Sequence, residues 1–396
     1  MKKQLILLMI SNFFLQTSLA QKTDKTAIEL LQTSASKLNN LNSISYLYTR
    51  EINNYQDNYF DKTSDSCYLD FGQSNEENPL IFQFKGKEMI QIYNGSEYFV
   101  LDKKDKTIEV TNKPSLKTFS SLSCFYNSLP TLRKMMNTLA KDDSVEKTIR
   151  DTLVTGKPYK VINLILHNKT LDFSNGYKPF TIPLIINYKL LIDPENYLPY
   201  QIIETNNIDK DLYNTRTTFL NLKINPVRPD SLSWFYSSYR QTYKFAEKKE
   251  QIHLLKSGRK ISEWVLPVLT PGGNKMIQRT DFKGKITVIY FWMKNCGYCM
   301  QSFPKLRVLQ QKYQAADFQL LAINSYDKKE DVIFFYQREK PGYLMLYNGQ
   351  VLAEKSGVSS YPATIIIDKN GSVLYSSNGF NLNAVKQQLK KALSKK

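Results

Sequence analysis

The sequence predicts two domains, a mainly antiparallel β domain followed by an α/β domain. Its 396 residues are enough for two hydrophobic cores. Between residues 44 and 224, short segments of alternating apolar and polar residues, separated by turn residues, indicate antiparallel strands. From residue 286 onward, apolar strand patterns alternate with helical patterns, which is typical of a sheet covered on both faces.

Residues 1–20 have the features of a secretory signal peptide. Lys2 and Lys3 precede an apolar run, and Ser18-Leu19-Ala20 supplies small residues at the cleavage site. No cysteine follows the run, so we expect no lipid anchor. No later stretch has the ~18 uninterrupted apolar residues of a membrane span. The sequence therefore predicts an exported, periplasmic protein in which disulfides can persist.

Residues 21–230 form the predicted β domain. A helix is expected over Thr23–Leu41, where alanine and leucine recur at helical spacing. A helical insertion over Leu129–Leu139 interrupts the strand patterns that follow. The predicted strands are Ile44–Tyr55, Ser66–Phe71, Leu80–Phe84, Met89–Tyr93, Glu97–Leu101, Thr107–Val110, Tyr159–His167, Leu184–Asp193, Tyr200–Thr205 and Thr217–Ile224. Together they predict a large, curved antiparallel sheet.

Two cysteines, Cys67 and Cys124, lie within this β domain. In an exported protein they can form a structural disulfide that closes the loop between them. The alternative is a pair of buried free thiols. Sequence spacing does not decide between the two.

The chain is strongly basic, with 54 Lys and Arg against 36 Asp and Glu and a formal net charge of +18. Such a charge can indicate binding to nucleic acid. The lysines are scattered in ones and twos, however, and no long basic run appears. We therefore expect a solvated basic surface and no nucleic-acid partner.

Residues 231–257 form a connector that is aromatic and then charged, which predicts helical or irregular structure. The second domain covers residues 258–396. Its predicted elements are the strand Ile286–Trp292, the helix Gly297–Gln314 bent at Pro304, the strand Phe318–Ser325, the helix Lys328–Lys340, the strand Tyr343–Tyr347, a helical turn over Leu352–Ser356, the strands Ala363–Asp368 and Ser372–Ser376, and the helix Leu382–Leu393.

Cys296 and Cys299 form a Cys-Gly-Tyr-Cys motif at the start of a predicted helix. Their spacing places both sulfurs on one helix face, close enough for a reversible disulfide. Free backbone N–H groups and the helix dipole favour the thiolate of Cys296, the form that attacks a disulfide. Cys299 is the predicted buried resolving thiol. The histidines, His167 and His253, and the cysteine pattern predict no metal site and no cofactor.

With Phe291-Trp292 before this motif and Pro304 after it, the second domain resembles the thioredoxin fold. Within that fold it is similar to the extracytoplasmic TlpA/ResA-type thiol–disulfide oxidoreductases. Residues 281–285 match the family's lead-in to the central strand, and the resemblance extends over about residues 258–396. The resemblance implies an exported enzyme of this class, and it makes an ordinary structural bridge between Cys296 and Cys299 the weaker interpretation.

Residues 358–368 look like the segment that carries the family's cis-proline, here Pro362. The resemblance implies that Pro362 faces the disulfide and that the backbone of Tyr361 pairs with an extended substrate peptide. Trp292 is expected beside the disulfide, more as a packing residue than as a chemical participant. The predicted substrate-binding residues are therefore Trp292, Tyr361 and Pro362.

The motif departs from its relatives at several positions. Tyr290 stands where thioredoxins carry a buried acid, and Ser302 where ResA-type proteins carry a glutamate. The sequence therefore does not identify the group that exchanges a proton with Cys299. We expect surface positions with a tuning role for Lys294 and Tyr298. The dipeptide between the cysteines, which begins with Gly297, also tunes the redox potential and resembles that of DsbC-type disulfide isomerases.

A second, weaker resemblance concerns the first domain. Residues 188–199, with the turn Asp193-Pro194 between two strand patterns, are similar to the strand–turn–strand of LolA/LolB-like half-open barrels. In lipoprotein carriers such barrels hold acyl chains. The alternative is a β domain that positions or dimerises the redox domain.

The sequence thus predicts an exported thiol–disulfide oxidoreductase that reduces disulfides of other periplasmic proteins. Its expected partners are disulfide-containing exported proteins and an electron-donor thiol–disulfide protein. Disulfide isomerisation is one alternative, and binding of an apolar ligand with a vestigial thioredoxin domain is another. Peroxidase activity of the peroxiredoxin kind is disfavoured, because the motif Pro-x-x-x-Thr-x-x-Cys is absent before Cys296.

Overall fold

The structure is a computed structural model, and it describes residues 24–55, 59–72, 80–180, 183–208, 212–247, 253–270, 273–294, 296–313 and 317–394. The predicted signal peptide lies outside these residues. The chain divides into two compact units, residues 1–246 and 247–396. Within the described ranges, every helix is too short or too polar to cross a membrane.

The first unit combines helices with many short strands. Its helices are α1 (Lys25–Asn39), α2 (Leu116–Ser120) and α3 (Leu129–Lys141). Its strands are β1 (Ser43–Asn54), β2 (Tyr59–Asp70), β3 (Ile81–Lys85), β4 (Met89–Tyr93), β5 (Glu97–Asp102), β6 (Thr107–Asn112), β7 (Glu146–Val154), β8 (Lys157–His167), β9 (Lys169–Asp172), β10 (Gly176–Pro179), β11 (Ile185–Ile192), β12 (Pro199–Asn206), β13 (Tyr213–Ile224) and β14 (Lys244–Phe245).

Twelve of these strands form one open sheet in the order β14-β6-β5-β4-β3-β2-β1-β13-β12-β11-β8-β7. Sequential neighbours pair antiparallel, as in β1 with β2 and β4 with β5, whereas β14 pairs parallel with β6. The predicted class, mainly antiparallel β, is confirmed for this unit. The LolA/LolB resemblance stays a prediction.

The helices of the first unit share one hydrophobic core with the sheet. In β1, Ile44, Tyr46 and Tyr48 alternate inward, as the period of two requires for a strand with one covered face. The rings of Phe82 and Phe119 lie 5.3 Å apart, so α2 packs on the sheet through aromatic contacts.

Strand β7 was missed in the sequence because it carries charges at several positions. Lys147 on this strand is fully buried. Its ammonium donates to the backbone carbonyl oxygens of Asp142 at 2.6 Å and Val145 at 2.8 Å. Because backbone carbonyl oxygens bind its ammonium group, this lysine can occupy a buried position of the strand, and the sequence shows no apolar residue there.

In the described part of the predicted connector, residues 231–257, the expected helical or irregular structure is present, but residues up to 246 belong to the first unit. Residues 231–234 and 236–239 form 3-10 turns, and the strand β14 follows within the first unit. Trp234 is buried, and its ring lies 5.9 Å from that of Tyr68. Large aromatic side chains gain more by joining a core than by remaining on an exposed linker, so this part of the chain completes the first unit.

Of the two alternatives left open for Cys67 and Cys124, the structure has the second, because it contains both as free, buried thiols. The Cys67 thiol donates to the carbonyl oxygen of Asp65 at 3.5 Å. Burial raises the pKa of both thiols. The thiolate needed to form a disulfide is therefore disfavoured at both positions.

The second unit is built around a mixed sheet. Its strands are β15 (Val265–Thr270), β16 (Gly273–Gln278), β17 (Ile286–Trp292), β18 (Phe318–Asn324), β19 (Leu344–Leu346), β20 (Ala363–Ile367) and β21 (Val373–Asn378). Its helices are α4 (Gly297–Tyr313), α5 (Lys329–Glu339), α6 (Gln350–Lys355) and α7 (Leu382–Leu393).

The strand order in this sheet is β16-β15-β19-β18-β17-β20-β21. Strand β17 is buried along its whole length, parallel to β18 and antiparallel to β20. Separate apolar clusters cover the two faces of the sheet. The α/β thioredoxin fold predicted for this domain is confirmed, whereas the hairpin of β15 and β16 was not predicted.

Candidate functional site

The two cysteines of the motif are joined by a disulfide at the carboxyl end of β17, with their Cα atoms 5.1 Å apart. Cys296 immediately precedes α4 and is partly exposed. Cys299 lies in the first turn of the helix and is fully buried. An attacking disulfide or thiol can therefore reach the Cys296 sulfur much more readily than the Cys299 sulfur.

Backbone amides at the start of α4 converge on Cys296. The Cys299 N–H donates to the Cys296 sulfur at 3.1 Å, and the Met300 N–H donates to the Cys296 carbonyl oxygen at 3.0 Å. Cys296 thus occupies the position of a helix N-cap. When the disulfide is reduced, the same amide and the helix dipole favour negative charge on this sulfur.

The two residues between the cysteines lie at the open side of the site. A Cβ atom at Gly297 would meet no atom within 4 Å apart from its chain neighbours and the backbone of its own helix. Tyr298 is 54% exposed, in agreement with the expected surface position. Both residues can therefore face an approaching partner.

The peptide bond between Tyr361 and Pro362 is cis. Antiparallel pairing of β17 with β20 sets Phe291 opposite Ala363, so Pro362 stands at the level of Trp292, the last residue of β17. Tyr361 is half-buried and packs against the apolar cluster that Cys296 also contacts. These two residues therefore lie at the same end of the sheet as the disulfide.

Trp292 is completely enclosed by the core. Its ring lies 5.1 Å from that of Phe303 and 4.7 Å from that of Phe335. A strand covered on both faces leaves this side chain no path to the surface. The predicted substrate contact is thus corrected to a packing role.

Lys294 is buried, with 4% of its surface exposed, which corrects the expected surface position. Its ammonium pairs with Asp331 at 2.8 Å, and its backbone N–H donates to Asp327 Oδ2 at 2.5 Å. The side-chain amide of Asn324 donates to the same Asp327 oxygen at 2.6 Å. Burial raises the pKa of Asp327. The segment after β18 is thereby tied to the segment that leads to Cys296.

Sequence reasoning missed Asn324, Asp327 and Asp331. The available signal was the position of Asn324 and Asp327 at the end of a buried strand adjacent to β17, where polar side chains collect beside a site at the carboxyl ends of strands. Asp331 lies one helical turn further along the chain, in the first turn of α5.

Tyr290 and Ser302, which stand where related proteins carry acidic residues, both lie next to Cys299. Tyr290 is fully buried and donates to the Cys299 carbonyl oxygen at 3.1 Å. Burial raises its pKa, so the phenol stays neutral. Ser302 is buried and donates to the Tyr298 carbonyl oxygen at 2.9 Å. Neither side chain can accept a proton from Cys299 as a carboxylate does.

The described part of the chain contains no group of three or more His, Cys, Asp or Glu residues arranged to hold a metal ion. The chemistry that the site supports is exchange between the two sulfurs and an external thiol or disulfide.

Comparisons with known proteins agree with this chemistry. The model of the AhpC/TSA family matches residues 258–376. The thiol–disulfide oxidoreductase ResA of Bacillus thuringiensis subsp. konkukian is 28% identical over 130 residues, which cover 32% of this chain and 73% of ResA. ResA of Geobacillus thermodenitrificans is 32% identical over 95 residues, which cover 24% of this chain and 55% of that protein.

One solved structure is that of a thiol:disulfide interchange protein, DsbE, from Chlorobium tepidum. It is 30% identical, with a TM-score of 0.33 over 35% of this chain and 99% of that chain. The relatives named here are similar to a part of the chain no longer than the second unit.

Proposed function

Because the second unit is a thioredoxin-fold thiol–disulfide oxidoreductase domain of the ResA/TlpA type, we propose that the protein is exported and reduces disulfides of other proteins through Cys296 and Cys299. One observation carries the choice of residues. Cys296 is partly exposed, with a backbone N–H directed at its sulfur, whereas Cys299 is fully buried. This asymmetry suits an attacking and a resolving thiol.

The reaction proceeds in two exchanges. The Cys296 thiolate attacks one sulfur of a substrate disulfide, whose other sulfur leaves as a thiolate and takes a proton. Cys299, after losing its proton, attacks the Cys296 sulfur of the mixed disulfide and releases the second substrate thiol. The substrate gains two electrons, and the cysteine pair ends as the disulfide present in the structure. A thiol–disulfide protein that acts as electron donor must then reduce the pair again.

The equilibrium reduction potential of Cys296 and Cys299 tests the direction of exchange. It is measured against dithiothreitol or glutathione in the full mature chain with Cys67 and Cys124 replaced by Ser. A value near or below that of thioredoxin, ~ −270 mV, supports a reductase. A value above ~ −180 mV would favour disulfide isomerisation or formation, and the absence of a reversible transition would exclude redox function.

Trapping tests the roles of the two thiols. Cys299→Ser should accumulate mixed disulfides between Cys296 and substrate proteins, because the resolving thiol is missing. Cys296→Ser serves as the matched control and should accumulate none, since Cys299 is buried. Equal trapping by both variants would contradict the assignment.

Export is tested separately. The expected product is a chain cleaved after Ala20 and recovered outside the cytoplasm. Edman sequencing or mass spectrometry of the secreted fraction gives the new N-terminus. An intact Met1 terminus on cytoplasmic protein would contradict the export part of the proposal.

The alternative of apolar-ligand binding predicts lipid bound to the purified protein. The core of the first unit gives this alternative little support, because aromatic rings fill it. The rings of Phe82 and Phe125 are 5.3 Å apart, and those of Phe119 and Phe125 are 5.9 Å apart. We therefore expect solvent extraction followed by mass spectrometry to release no stoichiometric lipid.

A further inference from the structure

We infer that Tyr326 and Tyr361 form an aromatic platform beside the redox disulfide, which selects substrates with an aromatic or other large apolar residue next to the target cystine. The inference rests on the proposed reduction of protein disulfides and adds the class of peptide that is bound. The motif and its resemblance did not point to Tyr326.

The strand registers place the two tyrosines on opposite sides of β17. Parallel pairing sets Asn324 of β18 beside Trp292, so Tyr326 follows two residues beyond the last paired residue of that strand. Tyr361 lies two residues before Ala363, which pairs with Phe291. The two flanking segments therefore meet at the end of β17, from which the chain continues directly to Cys296.

The rings of Tyr326 and Tyr361 contact each other across this end of the strand. Their centroids are 5.7 Å apart and their planes make an angle of 81°, an edge-to-face arrangement. Tyr326 is 50% exposed, and Tyr361 is partly buried against the cluster that includes Cys296. The pair therefore presents an apolar surface to solvent beside the reactive sulfur.

Hydrogen bonds on both sides of Tyr326 hold its backbone in place. The Ser325 N–H donates to the Trp292 carbonyl oxygen at 3.2 Å. Asp327 accepts from the Lys294 N–H at 2.5 Å. The ring is thus exposed on a backbone that is fixed to Trp292 and Lys294, so less conformational entropy is lost when a substrate binds.

The chemistry of the platform favours an uncharged partner. Burial raises the pKa of Tyr361, so this ring is neutral. The ammonium of Lys294, at the end of the same strand, is already paired with Asp331. Exposed tyrosines on a rigid base are typical of the central contacts of protein interfaces, where they pack against aromatic and aliphatic side chains.

The backbone of Tyr361 is the expected pairing site for an extended substrate, so the platform would hold a side chain of that same peptide close to its cystine. Tyr298, another exposed aromatic residue at the site, precedes Cys299 and adds to the apolar surface of the platform. A substrate segment with Phe, Tyr, Leu or Met beside the cysteine fits this surface better than one with Ser, Gly or a charged residue.

The test uses the full mature chain, reduced at Cys296 and Cys299, and two short peptides disulfide-linked to glutathione. The peptides differ only in having Phe or Ser next to the cysteine, and glutathione disulfide is the third substrate. Rate constants of exchange are measured for each. We expect the wild type to react about three- to tenfold faster with the Phe peptide.

Tyr326→Ala should reduce this preference to about twofold or less, because the rate with the Phe peptide falls more than the rates with the Ser peptide and glutathione disulfide. Tyr326→Phe should retain the preference. The matched control is Phe334→Ala, an aromatic residue of α5 that is 42% exposed. It should retain the wild-type preference.

Equal rates of the wild type with both peptides would overturn the inference while leaving the proposed reductase function intact. A variant Tyr326→Ala that slows all three substrates by the same factor would also overturn it, since that result indicates general damage around Cys296 and Cys299. No reaction of the reduced wild type with any of the three disulfides would overturn the proposed function together with the inference.

Discussion

At the scale of single residues, the helical period separates the two cysteines into different surroundings. Cys299, Phe303 and Leu306 recur on one side of α4 and are buried in the same core, whereas Cys296 stands before the helix at its free N-terminus. The attacking thiol is thus placed where the first N–H groups of the helix have no intrahelical carbonyl partner, and the resolving thiol where water is excluded.

The hydroxyl group of Tyr290 has a structural task rather than an acid–base one. Tyr290→Phe should lower the free energy of unfolding by about 1 kcal/mol, because the buried hydrogen bond from its hydroxyl to the Cys299 carbonyl oxygen is lost. The pH profile of exchange should not change, since burial keeps the phenol neutral. Denaturant unfolding and rates measured across pH give the two readouts, and a shifted pH profile would contradict this role.

Gly297 is not required by backbone geometry. Its φ lies outside the left-handed region and its Cβ position is open, so Gly297→Ala should stabilise the protein by about 0.5–1 kcal/mol. Denaturant unfolding of the oxidised protein measures this.

Gly371→Ala is the matched control for Gly297→Ala. Its φ is +82° and its Cβ would lie 2.8 Å from Arg279, so destabilisation by about 1 kcal/mol or more is expected. A loss of stability in Gly297→Ala would mean that the glycine serves the fold and not only the redox chemistry.

At the scale of elements, the ends of β17 and β18 are joined through Lys294. Lys294→Met should lower the free energy of unfolding by about 2 kcal/mol, because Asp331 loses its partner while remaining partly buried. Chemical denaturation of the oxidised protein measures the loss. Lys305→Met removes an exposed lysine of α4 and should stay within about 0.5 kcal/mol of the wild type. Equal effects of the two substitutions would contradict a stabilising role for the ion pair between Lys294 and Asp331.

The turn between α3 and β7 depends on Asp142. Although burial raises the pKa of this carboxyl group, hydrogen bonds from Lys169 and Ser144 hold it well below its usual range. Asp142→Asn should therefore lower the free energy of unfolding at pH 7 by about 1–3 kcal/mol.

The effect of Asp142→Asn should depend on pH. A depressed carboxyl pKa contributes stability that is present above the unfolded pKa, ~3.9, and is lost as the pH falls through the folded pKa. The difference between wild type and variant should thus shrink below about pH 4. Urea unfolding at pH 7 and pH 3 measures it, with Asp151→Asn, whose side chain is 76% exposed, as the control. A difference that is the same at both pH values would contradict the assignment.

At the scale of the whole molecule, the four cysteines divide between the two units and behave differently. The native oxidised protein should not react with a thiol reagent such as DTNB, because Cys67 and Cys124 are buried and their raised pKa values disfavour the thiolate. After unfolding in denaturant, two thiols should react. Rapid labelling of the native protein would show that the core of the first unit opens.

Much of the second unit could be predicted from its sequence. The strand Ile286–Trp292 and the helix Leu382–Leu393 have the predicted bounds, because a continuous apolar run and a helical period are local signals. The hairpin of β15 and β16 gave no such signal: it lies at the edge of the sheet, where Val265 and Met276 are exposed. Strand β7 escaped prediction for a similar reason, as a charged edge strand.

The sequence by itself determined the fold class of both units and the position of the redox motif, because hydrophobic period, turn residues and cysteine spacing are properties of neighbouring residues. Only the tertiary structure decided the rest. It buried Lys294 against Asp331, enclosed Trp292, left Cys67 and Cys124 as free thiols, and joined Tyr326 to Tyr361 beside the disulfide. These features depend on strand order and register, which bring together residues far apart in the chain.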